Sequence, residues 1–392
     1  MRSFVVAASA AMGLAACASD KPSEANPFSG EAAPLSIAML PPAAGLTLAQ
    51  TRNARGEAIT LLVTALRDDG VRAIDLSGVG AKPGVDIFDA VASVGAQKLA
   101  ELQTASGGRD YARRDLISPA GPGERHVASG TNFKEHQEEA SISSVFNFPK
   151  FGPASPAVST VKLNKGVLLD YEVEICVRFD RAIDTVADFD AAKKGFFVCG
   201  DFSDRAMLVE RVDRANMASG VGFSDAKSGP DFFPTGPVIV IPNDWAGFVA
   251  AERITTKVNG ATRQDARGGE MILDFRALIE KALRDRSDTR YVYQGQQVTL
   301  FGGQAIPRGS VLMSGTSEGV IFRPPSPEDF AEGGRRARAS GAAPSEQAEV
   351  RAVLDVFIER EMKAGRYLQP GDVVEHAGSS LGSLAVTVVD GR

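Results

Sequence analysis

Asp170-Tyr171-Glu172-Val173-Glu174-Ile175-Cys176-Val177-Arg178-Phe179 alternates without a break. Tyr171, Val173, Ile175, Val177 and Phe179 fall on one side; Glu172, Glu174, Cys176 and Arg178 fall on the other. Successive side chains of a strand point to opposite faces, so the stretch reads as a β-strand. Its two glutamates then share a face, within reach of one hard cation. A strand whose polar face lies in water fits the same letters. Outward from it, strand-like runs recur at 195–202, 236–242, 253–258, 291–301, 310–314 and 373–389. Two helices interrupt them. One carries the stripe Met271, Ile272, Phe275, Leu278, Ile279 and Leu283; the other starts at a Ser345 cap and ends at Gly365. The fold class is therefore mixed α/β and β-rich.

Composition narrows the function. The chain has 392 residues, 44% of them hydrophobic, and a formal charge of −6. That balance is globular and offers no basic footprint for nucleic acid. The cysteines are Cys17, Cys176 and Cys199, and the histidines His126, His136 and His376. So few exclude a disulfide scaffold and a multi-histidine metal site; a metal here needs carboxylates.

Residues 1–17 open with Arg2 and a short apolar run ending in Leu14-Ala15-Ala16-Cys17. A charged start followed by a short apolar stretch is a secretory signal. The ending resembles the lipobox of bacterial lipoproteins, which implies lipidation at Cys17. The polar segment 18–34 reads as a flexible tether. The implied location is the bacterial cell envelope, facing the periplasm and held by the lipid anchor alone. Ala18 favours the outer membrane. Residues 35–118 read as a small β-rich module with a helix near 86–102, and 119–392 as the main body. Within the body, the Pro-, Gly- and Arg-rich start of 324–366 reads as an insertion or lid.

Four further segments bear on the chemistry. In Gly130-Thr131-Asn132-Phe133-Lys134-Glu135-His136-Gln137-Glu138-Glu139, His136 and Glu139 stand one helical turn apart. A histidine held by a carboxylate suits a general base that activates water. Gly195-Phe196-Phe197-Val198-Cys199-Gly200-Asp201-Phe202-Ser203-Asp204-Arg205 is a strand running into a helix, with Asp201 or Ser203 as candidate caps. Lys227 precedes a loop crowded with Gly and Pro (228–237). Gly315-Thr316 follows a strand-like run.

In this order the segments resemble the fumarylacetoacetate hydrolase family, over about residues 119–389. The later run Pro370-Gly371-Asp372-Val373-Val374-Glu375 fits too. The resemblance implies a rolled β-sheet catalytic domain, a homodimer and a divalent cation. By motif position, Glu172, Glu174 and Asp201 would be metal ligands. His136 and Glu139 would be the water-activating pair, and Lys227 would stabilise negative charge on the substrate. Arg205, Gly315 and Thr316 would contact substrate. All-oxygen ligation suits Mg2+, or Mn2+ or Ca2+. The implied reaction is hydrolysis of a carbon–carbon bond in a 1,3-diketo acid such as an acylpyruvate or fumarylacetoacetate. Alternatives are an isomerase, decarboxylase or dehydratase of 2-keto or 2-hydroxydienoic acids, and a non-catalytic envelope protein. Departures are visible. Phe133 replaces the family's Tyr, Ala206-Met207-Leu208 stands for Asp-Leu-Gln, Gly309-Ser310 stands for Gly-Asp, and 324–366 is longer than usual.

If Glu174 and Asp201 face each other on antiparallel strands, Cys176 faces Cys199 as well. Their Cβ atoms would then lie about 4.5–5.5 Å apart, at the edge of disulfide reach. Two buried free thiols fit the same pattern.

Overall fold

The structure, a computed structural model, describes residues 34–104, 107–340 and 345–391. The signal segment with Cys17, and the tether but for its last residue, lie outside the described residues.

Ten strands form one sheet, with Val173–Phe179 in its interior between Lys194–Gly200 and Leu312–Met313. All of Val173–Phe179 is buried, so neither face meets water. Of its polar members, the Arg178 guanidinium donates to the Pro119 carbonyl and pairs with Asp86. The strands Gly45–Arg52, Ala58–Arg67, Gly70–Asp75 and Arg109–Ala112 extend the same sheet, because Gly45–Arg52 pairs with Ile239–Pro242. The leading segment thus keeps a small cluster around Leu61, Val71 and Tyr111 but has no sheet of its own.

A second sheet of five strands runs Ala261–Arg267, Arg253–Val258, Val373–Gly378, Gly382–Asp390, Val158–Leu163. Arg253–Val258 packs near Val173–Phe179, and Val373–Gly378 near Lys194–Gly200. Ile175, Val198, Ile254, Val374 and Leu384 belong to the same fully buried cluster. Each such burial is worth about 1.5–3 kcal/mol. Among the described residues neither sheet closes into a barrel.

The expected helix near 271–283 begins later, at Phe275–Arg284, because Asp274 caps it by accepting the Ala277 N–H. The 324–366 segment is more ordered than its composition suggests. Ser326 and Asp329 form a capping box that starts helix Pro327–Ala339, which packs antiparallel to Glu346–Ala364. A Cβ at Gly333 would lie 2.5 Å from the Val353 Cα. The glycines that read as loop signals are therefore where two helices meet closely. The hairpin's Leu354 and Phe357 cover Ala206 and Val209 of helix Arg205–Arg211.

The two central strands are antiparallel, but their register differs by two residues from the pairing expected between Glu174 and Asp201. Cys199 lies opposite Glu174, and Cys176 opposite Phe197. The cysteines are diagonal neighbours rather than directly opposed. With Cα atoms 6.0 Å apart they form a disulfide all the same.

Candidate metal centre and active site

The register that moves the cysteines off opposition brings the acids together. Gly200 pairs with Val173, so the next residues outward, Asp201 and Glu172, leave the sheet side by side. The Asp201 N–H donates to the Glu172 carbonyl at 3.0 Å. Glu174 points the same way as Glu172 by strand alternation. Carboxylate oxygens of Glu172, Glu174 and Asp201 lie within 4.8 Å of one another, and all three residues are buried.

Such a cluster would repel itself without cations, and the chain supplies them. Lys227, at the end of helix Phe223–Lys227, reaches Glu172 Oε2 at 2.6 Å and Asp201 Oδ2 at 3.0 Å. Arg205 donates to Asp170 Oδ2 at 2.8 Å and to Glu172 Oε1 at 2.6 Å. Lys150, on strand Phe146–Phe151, donates to Asp201 Oδ1 at 2.6 Å and also to the Lys227 carbonyl. Three cations therefore face the carboxyls of Asp170, Glu172, Glu174 and Asp201. Burial alone would raise Glu172, but Lys227 and Arg205 override it and hold it down to about 2. Glu174 goes the other way: burial, then Asp201 and Glu172, push it well above the usual carboxylate range. A shift of Glu174 toward its neutral form lessens the negative charge of the cluster. Its Oε2 accepts the Gly315 N–H at 2.7 Å, while Oε1 is buried without a hydrogen-bond partner. That orphaned oxygen, in an all-oxygen donor set, fits a hard divalent cation held by Glu172, Glu174 and Asp201.

The loop before the helix bearing His136 is fixed by Asn132. Its amide donates to the Leu273 carbonyl at 2.9 Å and the Ser314 carbonyl at 2.8 Å, and accepts the Leu273 N–H at 2.9 Å. Helix Lys134–Ala140 then sets His136 Nδ1 3.0 Å from Glu139 Oε2. The His136 ring lies within electrostatic reach of Glu172.

The residues carried over as substrate contacts fall differently. Arg205 is committed to Asp170 and Glu172. Thr316 is buried; its hydroxyl donates to the Val173 carbonyl and accepts from Gln264 Nε2, both at 2.9 Å. Gly315, at φ +83°, a conformation that side chains rarely adopt, presents its N–H to Glu174, and a Cβ there would come within 3.0 Å of the Asn132 Cβ. The helix after Asp201 is capped by Asp204, not by Asp201 or Ser203: Asp204 accepts the N–H groups of Ala206 and Met207. This frees the Asp201 carboxylate for the cluster.

Sequence reasoning missed Lys150, Asp170, Gln264 and Arg323. Lys150 carried a usable signal, a lone lysine in the apolar run Phe146-Asn147-Phe148-Pro149-Lys150-Phe151. The others join the site only through folding.

Comparison with known proteins bears on the fold and the family. A curated relative, an uncharacterized protein of Staphylococcus epidermidis, is 27% identical over 215 residues, 53% of this chain and 62% of the relative. The chain thus spans less than two thirds of that relative's length. Among solved structures, a fumarylacetoacetate hydrolase from Exiguobacterium antarcticum superposes with a TM-score of 0.55 at 18% identity, over 88% of this chain and 100% of that one. A probable 2-hydroxyhepta-2,4-diene-1,7-dioate isomerase from Mycobacterium abscessus gives 0.54 at 18% identity, over 89% and 99%. At such identities these likenesses speak for the fold. The family model for the C-terminal region of fumarylacetoacetate hydrolase matches residues 125–389, and the chain belongs to that family.

Proposed function

We propose that this protein is a divalent-metal-dependent hydrolase of 1,3-diketo acids of the acylpyruvate type. The observation that carries this reading is the His136–Glu139 pair beside the buried acids. Glu139 accepts a hydrogen bond from Nδ1–H, so Nε2 is the basic nitrogen. In this reading His136 takes a proton from water, and the resulting hydroxide adds to the distal carbonyl carbon. The bond from that carbon to the methylene then breaks, and its electron pair goes to the methylene as an enolate. His136 returns its proton there, leaving a carboxylic acid and a 2-keto acid. Lys227, already one of the cluster's cations, would stabilise the developing oxyanion. A bound cation would supply Lewis-acid polarisation of the substrate's 2-keto acid end.

The experiment is a panel of acetylpyruvate, fumarylpyruvate and 2-hydroxydienoic acids with Mg2+ or Mn2+, run in 18O-water. Label in the released acid is expected, and His136→Gln should lower turnover about 100- to 10,000-fold. Isomerisation of the dienoic acids without label would replace hydrolysis by the isomerase reading. No turnover of any member would remove both.

We further propose that the mature chain is lipid-anchored through Cys17, on the strength of the sequence alone. Cys17→Ser is expected to move the protein from the membrane fraction to the soluble one. Retention in the membrane fraction would defeat the anchor.

A further inference from the structure

The His136–Glu139 pair is not held by its own helix alone. Glu139 Oε2 serves His136, while Oε1 accepts from Arg323 Nη1 at 2.8 Å and from the Gly319 N–H at 3.4 Å. The Glu139 side chain is 7% exposed, and that of Arg323 48%. Arg323 lies between Thr316 and the helical hairpin, immediately before the segment 324–366. Its guanidinium also donates to the carbonyls of Val320, at 3.1 Å, and Phe322, at 2.7 Å, which fixes it to its own turn.

That turn is anchored on the metal side of the site. Asp170 accepts the N–H groups of Ile321, at 3.0 Å, and Phe322, at 3.1 Å, and the same carboxylate takes Arg205. The Phe322 ring lies 5.4 Å from the Arg205 guanidinium and meets Phe357 of the hairpin edge-on at 6.4 Å. One segment therefore touches Glu139 directly, and Glu172 through Asp170 and Arg205.

We propose that Arg323 is a positioning residue for the His136–Glu139 pair. It pins the outer oxygen of Glu139 so that the inner one accepts a hydrogen bond from His136 Nδ1–H and leaves Nε2 free to accept a proton. The physical reason is torsional. The last torsion of a glutamate is broad and two-fold, so a single hydrogen bond to an imidazole does not fix the carboxylate plane. A planar guanidinium on the second oxygen does. Two fixed oxygens select one tautomer of the neutral ring. The proposal rests on the water-activating reading of His136, and its test separates the two.

The chain has three histidines, so a 15N-histidine spectrum of the full chain is simple, and His136→Gln assigns the ring in question. In the wild type His136 is expected as the Nδ1–H tautomer. In Arg323→Gln it should become a mixture, and in Arg323→Lys remain largely Nδ1–H. With acetylpyruvate as probe, Arg323→Gln should lower kcat about 10- to 100-fold, the range for lost outer-shell partners, with KM and Mn2+ affinity unchanged. Arg323→Lys should restore part of the loss. An unchanged tautomer in Arg323→Gln overturns the proposal. So does a fall in Mn2+ affinity and thermal midpoint with the tautomer intact, which marks a merely structural role. If the wild type turns over neither acetylpyruvate nor any other member of the panel, the hydrolase reading fails, and the tautomer spectrum still decides the role of Arg323.

Discussion

Asp201→Ala is expected to destabilise the metal-free protein by about 3–5 kcal/mol, the usual result of removing one partner of a buried ion pair. On the sequence alone, losing a ligand should leave the metal-free fold nearly intact. The structure reverses that for Asp201. Its Oδ1 is the carboxylate partner of Lys150 Nζ, whose side chain is fully buried, and its Oδ2 shares Lys227 with Glu172. Deleting it leaves Lys150 buried with no carboxylate in contact. Urea denaturation in EDTA measures the loss, with Asp201→Asn as the milder control because it keeps an acceptor. A change under about 1 kcal/mol in Asp201→Ala would mean that Lys150 is already neutral there and that the charge balance described above is wrong. Burial does push Lys150 down, and Asp201 is what opposes it.

Glu174→Gln should do the opposite, abolishing metal binding while sparing the fold. A protonated glutamic acid and a glutamine have nearly the same shape and charge, so the stability change below neutral pH should stay under about 1.5 kcal/mol. Affinity for Mn2+ should fall by at least about 100-fold, since losing an outer-shell partner already costs 10- to 100-fold. The pH dependence carries a definite sign. Glu174 is raised above its unfolded value, about 4.3. Its stabilising contribution is therefore complete below that value and is lost as pH rises through the raised folded pKa. Wild-type metal-free protein should lose stability relative to Glu174→Gln over that interval, and metal should restore it. Binding must also expel the proton, so calorimetry in buffers of different ionisation enthalpy should report proton release in the wild type and tightening of binding with pH. Unaltered Mn2+ affinity in Glu174→Gln would remove Glu174 from the ligand set.

These two acids, both singled out on the same grounds, differ because of neighbours that no local pattern announces. Alternation in 170–179 identified a strand and put Glu172, Glu174 and Cys176 on one face. Spacing put His136 and Glu139 on one helical turn, where the structure has them at 3.0 Å. Both are short-range statements, fixed by strand and helix periods. The order of the motifs pointed to the family, which the match over 125–389 shows.

Long-range relations were not legible. A strand's register depends on its partner, and a slip of two residues keeps every side chain on its face, so no hydrophobic pattern could choose it. That slip decides whether Cys176 and Cys199 are opposed or diagonal and whether Asp201 stands beside Glu174 or Glu172. The double glycine at Gly333-Gly334 resembled a loop because a glycine needed for close helix packing and one needed for a turn look alike in sequence. Buried charge is the clearest case. Lys150, 77 residues from Lys227 and 51 from Asp201, meets both in one cluster. The sequence by itself placed the local elements, the acid-bearing strand and the one-turn spacing of His136 and Glu139. The tertiary structure alone decided which carboxyl its cations lower, which one burial and its neighbours raise and which one a buried lysine contacts, because those depend on the distance to every other buried charge.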